Sequence, residues 1–111
     1  NEITNEGVKS LSDMLKTNRT LTWLWLTENE IGNHGIEYLC TSLADSNFTL
    51  EWLFLNSNRF ITDSCIDDLI RMLKRNYTLK TLYLNNCNLS EITKRKLLQI
   101  IKAKKDFDLE V

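Results

Sequence analysis

The side chains that could do chemistry are few in these 111 residues, and their spacing joins none of them into a set. The single histidine, His34, falls in the loop after a repeated asparagine, with no partner spaced to orient it. An isolated loop imidazole reads as a solvated side chain rather than a base or a metal ligand. Asp63, Asp67 and Asp68 look superficially like a metal cluster, but no glycine-containing calcium loop surrounds them. Asp63 and Asp67 stand at a helix start, where carboxylates favour the macrodipole, and the trio reads as a solvated face. Cys40, Cys65 and Cys87 are odd in number and include no C-x-x-C pair. They read as small buried hydrophobes in a reducing compartment, the cytoplasm. Three scattered glycines cannot build a phosphate cradle, and no Ser/His/Asp set or H-E-x-x-H appears. The expectation is a non-enzymatic chain with no cofactor, no metal and no small-molecule substrate.

Charge excludes further classes. Lys plus Arg number 14 against 15 Asp plus Glu, so no overall excess draws the chain to nucleic acid or an anionic membrane. The basic run Lys94, Arg95, Lys96, Lys102, Lys104, Lys105 is followed directly by Asp106, Asp108 and Glu110, and reads as a solvated helix face. No apolar run approaches the ~20 residues that cross a bilayer. An apolar fraction of 42% in 111 residues fits one soluble folded domain.

The elements emerge from repetition. The chain holds 19 Leu and 12 Asn, with 3 Gly and no Pro. Leu21, Leu50 and Leu79 recur every 29 residues, as do Leu24, Leu53, Leu82 and Leu26, Leu55, Leu84. Ile3, Gly7, Leu11 and Leu15 stand 28 residues before Ile31, Gly35, Leu39 and Leu43. Each unit opens L-x-x-L-x-L-x-x-(N or C)-x-apolar, with strand alternation at Leu24, Leu26 and Leu53, Leu55. The period then changes to helical, in the stripes Ile36, Leu39, Cys40, Leu43 and Ile66, Leu69, Ile70, Leu73. A strand followed by a helix of about two to three turns cannot bury both apolar faces alone, so the units must stack.

This pattern resembles the leucine-rich repeat, in the helix-containing ribonuclease-inhibitor-like subtype that also occurs in NOD-like receptors and tropomodulin-like proteins. The resemblance implies an α/β solenoid, a right-handed horseshoe segment with a parallel sheet on the concave side and helices on the convex side. It also implies that Asn29 and Asn58, with Cys87 in the unit 79–105, turn inward to satisfy the backbone of the loops. Truncating either asparagine should then cost roughly 1–3 kcal/mol. The units run 1–20 (a partial first repeat), 21–49, 50–78 and 79–105, with 106–111 a closing strand or the start of another repeat. Asn1 falls where Asn29 falls, so the first unit lacks its strand, and the chain reads as a fragment of a longer array.

Three N-x-T sequons, at Asn18, Asn47 and Asn76, occupy the same place between helix and strand, and a fourth, N-x-S, begins at Asn88. The three read as repeat geometry rather than glycan sites: Asn tolerates the left-handed conformation that ends a helix, and Thr suits the entering strand.

With the leucines inward, Trp23, Trp25 and Thr27 point out of the first strand. Trp52, Phe54 and Asn56 follow from the second, and Thr81, Tyr83 and Asn85 from the third. Such a face suits a protein partner. Stacked aromatics could instead serve stability alone, or be buried against missing sequence or a second copy of the chain. Protein binding is the favoured reading, with Trp23, Trp25, Trp52, Phe54 and Tyr83 as anchors and Thr27, Glu28, Asn56 and Asn85 as a polar rim. The alternatives are a GTPase-activating or other regulatory accessory role, as in Ran-directed members of the subtype, and a purely structural stretch. Glu28 and Glu51 against Lys80 make the face slightly acidic, which suits basic rim residues on a partner.

Overall fold

A computed structural model describes residues 2–111, so the expected match of Asn1 to the Asn29 position lies outside the described residues. The chain alternates helix and strand: α1 (Asn5–Leu15), β1 (Trp23–Trp25), α2 (Asn33–Asp45), β2 (Trp52–Phe54), a 3-10 turn (Asp63–Cys65) leading into α3 (Ile66–Arg75), β3 (Thr81–Tyr83), α4 (Glu91–Ile101) and β4 (Asp108–Glu110). The four strands form one parallel sheet in sequence order. Each crossover carries a helix, and all helices pack on the same side of the sheet in two layers.

Periodicity explains the core. Leu26, Leu53, Leu55, Leu82 and Leu84 from the strand segments meet Ile36, Leu39, Leu43, Leu69, Leu73 and Leu97 from the helices, all at most 2% exposed. Leu24 is half-buried in the edge strand β1. The helices run 10 to 13 residues, about the two to three turns expected from the stripes, with α2 the longest. Ile66 and Ile70 are only half-buried, since α3 contacts its successor α4 less extensively than it contacts α2. At the start of α2 the close approach of the N-terminal segment requires Gly35. A Cβ there would stand 2.7 Å from both Asn5 Oδ1 and Ile31 Cγ2.

Two asparagine ladders run across the stack. In the first, Asn58 Oδ1 accepts from the backbone N–H of Asn29 and Ile31, while its Nδ2 donates to the carbonyls of Leu26 and Leu55. Asn29 accepts from Ile3 N–H and donates to the Leu26 and Thr27 carbonyls. Cys87 keeps one contact of this kind, Sγ to the Leu55 carbonyl at 3.5 Å. The second ladder is formed by the sequon asparagines. Asn47 Nδ2 donates to the Leu15 and Asn18 carbonyls, and Asn76 Nδ2 to those of Leu43 and Asn47. Their Oδ1 atoms accept from the N–H groups of Thr49, Leu50, Thr78 and Leu79, the groups entering each strand.

This corrects the reading of Asn18, Asn47 and Asn76 as left-handed helix ends. None has a positive φ; the left-handed residues are Glu28, Ser57, Asn86 and Asp106. Glu28 and Ser57 are each followed by the inward asparagine of the first ladder, Asn86 by Cys87 in the same position, and Asp106 leads into β4. Asn47 and Asn76 are 0% and 1% exposed, so in the folded chain their amides are in the core.

Candidate functional site

Parallel register converts the alternating strand residues into two rows on the sheet face opposite the helices. One row runs Trp23, Trp52, Thr81, Asp108 and the other Trp25, Phe54, Tyr83, Glu110. The rings touch across strands: centroids lie 5.6 Å apart for Trp23–Trp52, 5.9 Å for Trp23–Phe54, 5.4 Å for Trp25–Phe54 and 5.0 Å for Phe54–Tyr83. Three of these pairs are edge-to-face, the arrangement the ring quadrupole favours, worth ~0.5–1.5 kcal/mol each beyond area burial. Stacking accounts for the half-burial of Trp52, Phe54 and Tyr83. It does not cover the two tryptophans at the β1 end, where Trp23 is 53% and Trp25 67% exposed.

The polar surroundings differ along the rows. Glu51 and Lys80 pair at 2.9 Å, and the same ammonium lies 5.9 Å from the Trp52 ring centroid. Thr27 Oγ1 donates to Asn56 Oδ1 at 2.8 Å, a link between neighbouring units, whereas Asn85 Oδ1 is buried without a protein partner. Glu28 is exposed and sits at φ 58°, its N–H donating to the Asn56 carbonyl. At the far end Tyr83 donates its hydroxyl to Asp108 Oδ2 at 3.0 Å, and that carboxylate pushes the phenol up to about 12. In the sequence Asp108 and Glu110 stand out only as acids directly after the basic run. The signal that places them on this face is their alternation with Phe107, Leu109 and Val111, but Leu109 follows Leu82 by 27 residues, not 29, so the repeat period alone did not align them.

The remaining chemistry-bearing residues lie elsewhere. His34 is an exposed residue in the first turn of α2, not in the preceding loop. Asp63 is more than solvated: its Oδ1 accepts from Ser90 N–H at 2.8 Å, which holds its carboxyl below the usual range and ties the third unit to the start of α4. Lys104 departs from the solvated basic face. Its Nζ donates to the Asn76 carbonyl at 2.6 Å beneath the rings of Tyr77 and Phe107, closing the second asparagine ladder. All three cysteines are free thiols, and burial raises each of them, Cys65 to about 12. Among the described residues no group of three or more His, Cys, Asp or Glu is placed to hold a metal ion. The sheet face itself offers π-surfaces, apolar area and carboxylates, which are means of recognition.

Two family models described as leucine-rich repeat match this chain, one over residues 17–40 and the other over residues 78–98. A solved structure titled leiomodin-1 actin-binding site 2 superposes on 97% of the chain, with a TM-score of 0.86 and 25% identity. The chain carries leucine-rich repeats. Within that repeat architecture, the tropomodulin C-terminal domain of Caenorhabditis elegans shares the fold over 93% of this chain, with a TM-score of 0.79 at 17% identity. A human protein, NACHT, LRR and PYD domains-containing protein 5, is 46% identical over 41 residues. The leucine-rich repeats here correspond to 3% of that protein's length and to 63% and 62% of the two solved chains.

Proposed function

We propose that this leucine-rich repeat chain is a non-enzymatic cytoplasmic module that binds a protein through its concave sheet face. One observation supports it most: a contiguous aromatic cluster of five rings, two of whose three tryptophans, Trp23 and Trp25, stay more than half exposed. Aromatic anchors set in a packed patch dominate interface energetics, and a surface of this kind spread over several strands fits a macromolecule better than a small ligand. Thr27, Glu28, Asn56 and Asn85 form the polar rim. The leiomodin-1 structure is titled as an actin-binding site, which supports a protein as the class of partner for this fold. No helix of the described residues is long and apolar enough to cross a membrane.

The test is a pull-down from cytosolic extract with the wild type, with Trp25→Ala/Phe54→Ala, and with Ile92→Ala on the convex side, each checked for folding by circular dichroism. The expected outcome is loss of the captured proteins by the sheet-face variant alone. Capture that survives in that variant would sink the reading, and unfolding of it would favour a structural role for the aromatics.

A further inference from the structure

Both rows are polarised in the same direction. Each begins at β1 with an exposed tryptophan and ends at β4 with an exposed carboxylate, Asp108 in one and Glu110 in the other. Three strand spacings of ~4.8 Å separate those ends, so the two characters stand roughly 14 Å apart on one surface. Lys80, which enters β3 between them, is taken up by Glu51 and Trp52. Tyr83 holds Asp108 in place with its hydroxyl, so this carboxylate is positioned as well as exposed.

An occupant that covers all four strands must therefore desolvate two carboxylates, which is costly unless it supplies the opposite charge. A second copy of this chain does not supply it. In a two-fold pairing of this face with itself, Asp108 and Glu110 meet either their own counterparts or the partner copy's rings.

We propose that the segment recognised here is a basic stretch of protein, with an apolar or aromatic anchor over Trp23 and Trp25 and Lys or Arg at Asp108 and Glu110. Arginine fits best, since its planar fork can pair with a carboxylate through two hydrogen bonds and can also stack on an exposed indole. This inference rests on the concave-face reading and adds to it the chemistry and the direction of the partner.

The test is display selection of random 16-residue peptides on three immobilised proteins: wild type, Asp108→Asn/Glu110→Gln, and Trp25→Ala/Phe54→Ala. Peptides selected by the wild type should be enriched in Lys and Arg and lost on the tryptophan variant. They should bind the charge variant about tenfold more weakly, and their affinity for the wild type should fall as salt rises. Peptides that need the tryptophan yet show no cation enrichment and bind wild type and charge variant equally would overturn the basic partner while leaving the concave site standing. Peptides indifferent to both variants, or no binders at all, would overturn both. Light scattering that shows a dimer abolished by Trp25→Ala/Phe54→Ala would assign the face to a second copy instead. Should that variant fail to fold, the charge variant and the salt series decide the matter, since both carboxylates are exposed at the sheet edge.

Discussion

Asn58 and Asn76 solve one physical problem in two places. Short strands joined by tight loops leave backbone N–H and C=O groups inside the stack, where an unpaired group costs about 1–3 kcal/mol. Each asparagine offers both a carbonyl and an amide, so one buried side chain satisfies up to four such groups. Asn58 does this after the strand and Asn76 before the next one, at 0% and 1% exposure. Replacing either by alanine should lower the unfolding free energy by roughly 1–3 kcal/mol, measured as a fall in the urea midpoint. A loss below a few tenths would show that water enters and takes over the bonds. Cys87 takes the equivalent position between β3 and α4, where its Sγ meets the Leu55 carbonyl at 3.5 Å.

Between elements, the helix starts are tied across the repeats. Ser90 caps α4 by accepting from Thr93 N–H, and its own N–H is received by Asp63 from the preceding unit. The bond to the charged carboxylate depresses the Asp63 pKa, so its contribution to stability is present above the ordinary carboxylate range and is lost as pH falls through the lowered value. Asp63→Asn keeps an acceptor and removes the titration. The expected result is a stability profile in acid that is flatter for Asp63→Asn than for the wild type, read from thermal midpoints between pH 2 and 6. Identical profiles would mean that the Ser90 bond is equally strong to a neutral acceptor.

Across the whole molecule, the core is one continuous cluster running from Val8 to Leu97, built by stacking rather than by any unit alone. Its opening can be followed through the thiols. Cys40 lies within α2 and Cys65 at the entry to α3, both fully buried, while Cys87 is half-buried in the loop between β3 and α4. Pulse labelling with N-ethylmaleimide at pH 8, read by mass spectrometry, should modify Cys87 first. Cys40 and Cys65 should react together, at the rate of global unfolding. Labelling of Cys65 well ahead of Cys40 would reveal that the last two units open separately. Recognition also belongs to this scale. The aromatic and acidic ends of the rows stand on different strands, so no single repeat contains the proposed surface.

The repeat, the strand-then-helix order and the outward aromatics were legible in the amino-acid sequence, because periods of 29, 2 and 3.6 residues impose which side chains share a face whatever the rest of the chain does. Trp23, Trp25, Trp52, Phe54 and Tyr83 could be set in columns for that reason. What required tertiary structure were relationships between units that no period encodes. Lys104 reaches back 28 residues to the Asn76 carbonyl, and Asp63 forward 27 to Ser90. The buried amides of Asn47 and Asn76 were taken for backbone conformers, since composition cannot distinguish an asparagine that bends the chain from one that bonds across it. The acidic end of the sheet face was hidden for a similar reason. A shorter final unit brings Asp108 and Glu110 beside Thr81 and Tyr83, and only hydrogen-bonded strand pairing defines that register.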